Sequence, residues 1–346
     1  MNIFIRADGG SSIGMGHIMR MIVLASEFRK ENKIFFLCKS SKDGKYKAGI
    51  DMLEKNKFKV LKINEENIIE EILYFKNKYD ADILITDSYD VSEEYFHILK
   101  SKFKITGYVD DINKCFMNVD FIINQNINAL DLDYSKTTNE HTKLFLGTKY
   151  CMIREEFKKA CQEKIIKESV EDILLSLGGM DDDNNTVKIL NDLIDLNQNI
   201  HVVLGSAFKR EVIDSIYKYS YKYKNIYLYE NADMSKLMKK CDIAVSACGS
   251  TIYELCAMKV PAIGIVIAEN QRYISEVMKE NKIILDNIDI NNWNSDNFKK
   301  AINNLIEDNQ LRNEIISNCK KIVNINGSEK LAKDIIDLIR NGDNFD

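Results

Sequence analysis

Short apolar runs alternate along the chain with longer segments in which apolar residues recur at helical spacing. In the N-terminal half, the runs that predict buried strands span residues 3–5, 33–38, 58–63, 82–86, 103–109 and 121–123. Helical spacing fills the intervals, for example over residues 46–55, 68–76 and 93–100. Strands and helices that alternate in this way predict a parallel α/β sheet.

The alternation starts again near Asp172, after a Lys- and Glu-rich stretch at 158–171 that we interpret as a surface connection. Strands are predicted at 173–177, 200–204, 226–229, 243–245 and 262–267, and the last helices at 297–307, 311–322 and 328–339. A length of 346 residues also suggests two domains. We therefore predict an α/β fold with two Rossmann-like domains, residues 1–157 and residues 158–346.

The first strand leads through a glycine-rich loop into a helix, Arg6-Ala7-Asp8-Gly9-Gly10-Ser11-Ser12-Ile13-Gly14-Met15-Gly16-His17. Gly14 and Gly16 let the backbone turn tightly and approach a ligand closely. The helix directs free N–H groups and its positive end into the same space, which suits a diphosphate. His17 lies on the first helical turn, where an imidazole can transfer a proton near neutral pH. The alternative is a structural turn with a helix-terminal histidine, and the G-x-G-x-x-G dinucleotide fingerprint is absent.

Polar residues also follow the predicted strands of the N-terminal half. They are Asp8, Asp87, Tyr89, Asp110, Asp111 and Asn126. Ligands of parallel sheets bind outside the carboxyl ends of the strands, so the coincidence of several such residues predicts a site. Taken singly, each aspartate is better explained as a cap of a helix or turn.

The C-terminal half carries turns of similar character after its strands. Their candidate ligand-binding residues are Gly178, Gly179, Gly249, Ser250, Thr251, Glu254, Asn270 and Gln271. The hydroxyls and N–H groups at 250–251 open a helix and can hold phosphate oxygens without a metal. Glu254 can accept hydrogen bonds from a ribose diol, and the amide pair at 270–271 suits sugar hydroxyls or acetamido groups. Together they favour a nucleotide-sugar site over an ordinary serine cap with a surface glutamate.

Composition narrows the function classes. The net charge is −5 with interspersed lysines and acids, which gives no basic patch for nucleic acid. No apolar run is long enough to span a bilayer, and the first strand follows Met1 directly, so we expect no membrane insertion, no signal peptide and a cytoplasmic protein. The eight cysteines form no C-x-x-C pair, and we interpret them as reduced core residues without a metal.

These motifs resemble those of the PseG/SpsG family, the UDP-sugar hydrolases of pseudaminic acid biosynthesis with their SpsG-like relatives, which are similar in fold to the MurG glycosyltransferases. The matching segments are 6–8, 13–20, 87–89, 109–111, 146–147, 153–157, 177–179, 249–251 with Glu254, and 270–271. Met180 and Asp182 stand where the family often has Ser and Pro, Cys248 where a second Gly is common, and Met21 where Cys is frequent. These departures spare the proposed base and leave the exact sugar open.

The resemblance implies a GT-B-like fold whose two domains face an interdomain cleft, with UDP on the C-terminal domain and the sugar against the N-terminal loop. It implies metal-independent hydrolysis of a UDP-linked diacetamido-trideoxy-altrose without a cofactor, by a monomeric enzyme of surface-glycan or flagellin glycosylation. His17 is the implied general base. The implied substrate-binding residues are Arg6, Asp8, Gly14, Met15, Gly16, Arg20, Tyr89, Gly178, Gly179, Gly249, Ser250, Thr251, Glu254, Asn270 and Gln271.

Two other functions stay open at the level of the sequence. The same fold and UDP site serve glycosyltransferases, because a fold does not decide a function. A non-catalytic protein that binds nucleotide sugars is the third reading. Turnover of a UDP-sugar without any acceptor distinguishes the hydrolase from both.

Overall fold

The computed structural model describes residues 1–10, 13–181, 183–205 and 207–342. The chain divides into two compact units. Unit 1 comprises Met1–Met152 together with Asn326–Asp346, and unit 2 comprises Ile153–Ile325. The strands predicted from the apolar runs are confirmed, with ends that differ by at most two residues.

Unit 1 contains one parallel sheet with helices on both faces. Its strands are β1 (Asn2–Ala7), β2 (Lys33–Ser40), β3 (Lys59–Asn64), β4 (Ile83–Asp87), β5 (Ile105–Val109), β6 (Phe121–Asn124) and β7 (Lys143–Leu146). Its helices are α1 (Gly16–Phe28), α2 (Lys47–Lys55), α3 (Ile68–Tyr79), α4 (Glu93–Lys100) and, after unit 2, α13 (Gly327–Gly342). The strand order is β3-β2-β1-β4-β5-β6-β7. Since β1 and β4 are neighbours, the loops after them diverge and leave a crevice at the carboxyl edge.

The first strand explains why uninterrupted apolar runs predict strands in this protein. Ile3 and Ile5 pack into the core on one face of the sheet, and Phe4 packs into the core on the other. All three side chains are fully buried. A strand that is covered on both faces needs apolar residues at successive positions, so its sequence shows no polar alternation.

Unit 2 repeats this plan. Its strands are β8 (Asp172–Ser176), β9 (Asn199–Leu204), β10 (Ile226–Glu230), β11 (Ile243–Ala247), β12 (Ala262–Val266) and β13 (Asn287–Asp289). Its helices are α5 (Glu155–Gln162), α6 (Asn185–Leu193), α7 (Arg210–Lys222), α8 (Met234–Lys240), α9 (Thr251–Ala257), α10 (Arg272–Glu280), α11 (Ser295–Glu307) and α12 (Asn309–Ile322). The parallel order β10-β9-β8-β11-β12-β13 puts the switch point between β8 and β11.

The last helix corrects the predicted domain boundary, which assigned residues 158–346 to the second domain. Helix α13 belongs to unit 1, where Leu331 and Ile335 are fully buried in the core that also holds Ile18 of α1. The hydroxyl of Tyr150 donates to Asp334 at 2.9 Å. The helical spacing of 328–339 therefore predicted a buried face correctly, but it carried no information about which core the face joins.

Two predictions from composition can be compared with the structure. All eight cysteines are free thiols, and the prediction of core residues is confirmed for the seven that are buried, whereas Cys115 is partly exposed. Among the described residues, no helix combines the length and the apolar character that a bilayer crossing requires.

Candidate active site

At the carboxyl edge of the unit 1 sheet, His17 meets Asp87. His17 is the second residue of α1, and Asp87 is the last residue of β4. Nδ1 of His17 lies 2.5 Å from Oδ1 of Asp87. The Asp87 side chain is fully buried, whereas 12% of the His17 side chain is exposed. The pair therefore places a buried carboxylate behind an imidazole that reaches the surface.

Arg20, one turn further along α1, links this pair to Asp111. Its Nε and Nη2 donate to the two oxygens of Asp87, each at 2.6 Å, and its Nη1 donates to Asp111 at 2.8 Å. Burial alone would raise the pKa of Asp87, but the Arg20 guanidinium and His17 hold that pKa well below its usual range. Arg20 is predicted to bind substrate, yet its guanidinium is committed to these two carboxylates, so the structure gives it a positioning role.

Tyr89 and Asn126 complete the same cluster. The hydroxyl of Tyr89 and the side-chain amide of Asn126 both donate to Asp111, at 2.9 Å each. The edge of the Tyr89 ring packs against the His17 ring, with centroids 4.8 Å apart. Tyr89 is 45% exposed, so it lies beside His17 at the surface.

Arg6 and Asp8 differ from their predicted role in substrate binding. Arg6 is fully buried, donates to the backbone carbonyl of Asp90 at 3.2 Å, and lies 4.9 Å from the centre of the Tyr95 ring. Asp8 is 2% exposed and accepts a hydrogen bond from the backbone N–H of Lys39 at 2.7 Å. Neither side chain reaches the surface, so both stabilise the loops at the strand ends from the interior of unit 1.

The glycine-rich loop is built by close backbone packing. Gly10 and Gly14 exchange two backbone hydrogen bonds, at 3.0 and 2.9 Å. Gly14 has a φ of +72°, which favours glycine, and a Cβ on Gly10 would lie 1.8 Å from the carbonyl oxygen of Lys45. Met15 packs against the core, whereas a Cβ at Gly14 or Gly16 would meet no atom within 4 Å. Ser11 and Ser12 lie outside the described residues.

At the carboxyl edge of unit 2, three glycines face open space. Gly178 and Gly179 follow β8, and Gly249 follows the neighbouring β11. A Cβ at any of the three would meet no atom within 4 Å. Gly178 also has a φ of +96°. Bare backbone therefore lines this edge, and it is available for close approach by a ligand.

The other predicted residues of unit 2 lie on the same edge. Ser250 and Thr251 begin α9 after β11, and the side chain of Ser250 makes no capping hydrogen bond. Asn270 and Gln271 follow β12, which pairs with β11. Gln271 accepts a hydrogen bond from the backbone N–H of Ile267 at 3.1 Å, which holds its own loop. The alignment of β8, β11 and β12 thus brings all these predicted residues to one edge.

Glu254 has a partner that the sequence did not suggest. Arg154 donates to both of its carboxylate oxygens, from Nε at 2.7 Å and from Nη2 at 3.1 Å. Burial raises the pKa of Glu254, and the Arg154 guanidinium opposes that rise. Glu254 is therefore an ion-paired acceptor beside the glycine-lined edge.

Two of the aspartates near these loops have structural roles. Asp181 accepts hydrogen bonds from the backbone N–H groups of Asn185 and Thr186, at 2.8 and 2.7 Å, and so caps α6. Asp110 is buried and accepts from the hydroxyl of Tyr134 at 2.7 Å. Among the described residues, no three His, Cys, Asp or Glu side chains are grouped so as to hold a metal ion. Asp182 lies outside them.

Three relatives resemble the chain over most of its length. An uncharacterised protein of Methanocaldococcus jannaschii is 31% identical over 295 residues, which are 81% of this chain and 59% of that protein. The UDP-2,4-diacetamido-2,4,6-trideoxy-beta-L-altropyranose hydrolase of Campylobacter jejuni is 24% identical over 78% of this chain and 93% of its own length. The spore coat polysaccharide biosynthesis protein SpsG of Bacillus subtilis is 26% identical over 83% of each chain.

The chain is therefore similar in sequence to a UDP-sugar hydrolase and to SpsG, at 24% and 26% identity. No family model matches it. Among solved structures, MurG of Acinetobacter baumannii superimposes with a TM-score of 0.66 at 11% identity, covering 96% of this chain and 98% of that one. This likeness shows the GT-B fold that the resemblance in sequence implies.

Several partners in this site were not predicted from the sequence. Asp87, Asp111 and Asn126 were noted only as polar strand ends, and Arg154 only as part of a matching segment. Each lies at or near a strand end or beside a helix start, as Asp87 does at the end of β4. The available signal was therefore position at the carboxyl edge, but that position alone does not say which side chains touch.

Proposed function

We propose that this protein hydrolyses a UDP-linked sugar, with His17 as the general base that activates water. The observation that supports this most directly is the 2.5 Å contact between His17 Nδ1 and Asp87 Oδ1. An imidazole backed by a buried carboxylate and exposed on its other side is the arrangement that general-base catalysis uses.

The charge state of Asp87 determines which ring nitrogen is the base. A carboxylate only accepts hydrogen bonds, and the low pKa of Asp87, set against its burial by Arg20, keeps it ionised. We therefore assign the proton to Nδ1 of His17, which lies 2.5 Å from Oδ1 of Asp87 and 3.1 Å from Nη2 of Arg20. In the neutral ring this leaves the lone pair on Nε2, and among the described residues no hydrogen bond occupies that nitrogen. Nε2 is thus the atom assigned to the water.

The proposed reaction needs only one base. Water forms a bond to the anomeric carbon and gives a proton to Nε2 of His17, while the bond between that carbon and the diphosphate oxygen breaks. UDP takes the electron pair and leaves as an anion. Because UDP is already a good leaving group, the paired carboxylates of ordinary glycosidases are unnecessary.

Unit 2 is assigned the nucleotide. The bare backbone at Gly178, Gly179 and Gly249 allows close approach of a diphosphate, and Glu254 offers oxygens to a ribose. The residues at 250–251 and 270–271 are assigned to phosphate and sugar groups on the same edge.

The name of the Campylobacter jejuni relative supports a UDP-linked diacetamido-trideoxy-altrose as the sugar. The resemblance of the sequence motifs adds a role in pseudaminic acid biosynthesis. A glycosyltransferase is the second candidate, favoured by the likeness of the fold to MurG. The chain spans only 59% of the length of the Methanocaldococcus jannaschii relative. The activity of the whole protein is therefore also part of this proposal.

Release of UDP tests the proposal. The purified protein is incubated with the UDP-linked diacetamido sugar and with UDP-N-acetylglucosamine, each without an acceptor, and UDP and free sugar are measured. We expect equal amounts of UDP and free sugar from the diacetamido substrate. UDP release only when a hydroxyl acceptor is added would support the transferase, and binding without release would refute both enzymes.

A further inference from the structure

A bidentate ion pair stands at the edge of unit 2 that is proposed to bind UDP. Nε of Arg154 lies 2.7 Å from Oε1 of Glu254, and Nη2 lies 3.1 Å from Oε2. The side chains are 20% and 14% exposed, so both are mostly withdrawn from water. Two parallel N–H···O bonds to one carboxylate fix its orientation as well as its charge.

Arg154 is itself held on its other sides. Its guanidinium lies 4.5 Å from the centre of the Phe157 ring, and Nη1 lies 3.1 Å from Oε1 of Glu156. Arg154 immediately precedes α5, and α5 packs against α9, which carries Glu254. A guanidinium that is fixed by a ring and a second carboxylate retains its direction when a ligand arrives, because it has little freedom left to lose.

The pair leaves Glu254 able to accept more hydrogen bonds. Each carboxylate oxygen has two lone pairs, and Arg154 occupies one on each oxygen. One lone pair on each oxygen therefore remains, which matches the two adjacent hydroxyl donors of a ribose diol. Glu254 lies one turn into α9, directly after the segment at 249–251.

We infer that Arg154 is a positioning residue for nucleotide binding, which keeps Glu254 as an ionised, two-oxygen acceptor for the ribose diol. The inference rests on the proposed function, since it needs UDP at this edge. The charges that act on Glu254 are Arg154 itself and Glu156, and Asp233 acts on Arg154. Burial and Glu156 favour the neutral acid, and Arg154 is the group that opposes them.

Calorimetric titration of UDP from pH 6 to pH 9 tests this role. In Arg154→Met, the buried Glu254 loses its counter-charge, so its pKa rises further and the neutral acid becomes more populated. A neutral carboxyl group carries an O–H donor and is a weaker acceptor than a carboxylate, so UDP affinity should fall about 10- to 100-fold at pH 7. The loss should shrink as the pH rises, because Glu254 then ionises. The wild type should lack this recovery, and Glu254→Gln should lose affinity equally at every pH.

Two further variants separate positioning from stability. Arg312→Met removes another buried arginine of unit 2, which donates to the backbone carbonyls of Leu305 and Ile306, and it should leave the pH profile of UDP binding unchanged. Arg154→Lys retains the charge but not the two-pronged geometry, so we expect a severalfold loss of affinity without recovery at high pH. Arg154→Lys also tests the inference if Arg154→Met does not fold.

The outcomes distinguish the inference from the proposed function. If the wild type binds UDP and Arg154→Met follows its pH profile, Arg154 does not position Glu254 and the inference is refuted alone. Wild-type affinity in Arg154→Lys would refute it as well. If the wild type does not bind UDP at all, both the proposed function and the inference are wrong.

Discussion

Units 1 and 2 share a strand order around their switch points, yet their carboxyl edges differ in chemistry. In unit 1, the edge is filled by side chains that already pair with one another, as Arg20 does with Asp87 and Asp111. In unit 2, Gly178 and Gly249 leave bare backbone facing open space. The edge of unit 1 therefore supplies fixed charges, and the edge of unit 2 supplies open space beside the backbone.

The difference suits two tasks. Proton transfer needs a base whose tautomer and orientation are fixed before the substrate arrives, and the ionic cluster around His17 provides that. Binding of a diphosphate needs N–H groups that a ligand can approach without meeting a side chain. If the comparison is correct, substitutions in unit 1 should change kcat, and substitutions on the edge of unit 2 should change UDP affinity.

The largest expected effect is that of His17→Asn. Asparagine retains some hydrogen bonding but cannot take the proton from water, so kcat should fall about 10²–10⁴-fold. UDP affinity should stay close to that of the wild type, because UDP is assigned to unit 2. Steady-state kinetics and calorimetry with UDP measure the two quantities on the same preparation.

His201→Asn is the matched control. His201 also contacts an aspartate, with Nε2 2.7 Å from Asp172 Oδ1, but its side chain is fully buried. Its loss should lower the melting temperature and leave kcat of the folded enzyme unchanged. Wild-type turnover in His17→Asn would show that another residue is the base. Misfolding of His17→Asn would indicate that His17 has a structural role.

Asp87→Asn should give the next largest loss. One amide oxygen replaces two carboxylate oxygens that serve Arg20 and His17, so the tautomer is no longer fixed and kcat should fall about 10²–10³-fold. Asp120→Asn is the control, because Asp120 accepts from the backbone N–H of Thr106 at 2.7 Å and serves the sheet. Equal loss of kcat in both variants would contradict a specific role for Asp87.

The same variant predicts a pH dependence of stability. The pKa of Asp87 is depressed in the folded state, so its stabilisation is present above the unfolded pKa, about 4, and is lost as the pH falls through the folded value. The difference in melting temperature between wild type and Asp87→Asn should thus be constant above about pH 5 and should narrow in more acidic buffer.

Two glycine substitutions test the difference between the edges of units 1 and 2, with smaller expected effects. Alanine at Gly10 would place a Cβ 1.8 Å from the backbone oxygen of Lys45, so Gly10→Ala should destabilise unit 1 by about 1–3 kcal/mol or more. Gly249→Ala meets no atom, so the fold should tolerate it, while UDP affinity falls about tenfold through one weakened backbone contact. Denaturant unfolding and UDP titration would show the opposite pattern if the assignments were reversed.

The smallest expected effect is that of EDTA, which should leave activity unchanged. Backbone N–H groups and helix starts are assigned to the diphosphate, so no cation is required. Loss of activity with the chelator and rescue by Mg²⁺ would instead implicate Asp110, Asp111 or the aspartates at 181–183.

The sequence predicted elements better than contacts. Apolar runs located most of the strands, because a buried strand needs successive apolar residues. Two strands were not predicted: β7, whose apolar run is only three residues long, and β13, since Asn287–Asp289 contains a single apolar residue. The contacts of Arg20 with Asp87 and of Arg154 with Glu254 join residues far apart in sequence, and no periodicity encodes them. For Arg6, the motif match predicted a substrate-binding residue but could not reveal that its side chain is buried.

The return of α13 to unit 1 has a consequence for biosynthesis. Unit 2 is one continuous stretch of chain, so its core can close as it emerges from the ribosome. The core of unit 1 lacks Leu331 and Ile335 until the whole of unit 2 has been translated, which takes about 10–30 s at about 5–20 residues per second. During that interval, the part of α1 that α13 later contacts is uncovered, and a chaperone can bind there.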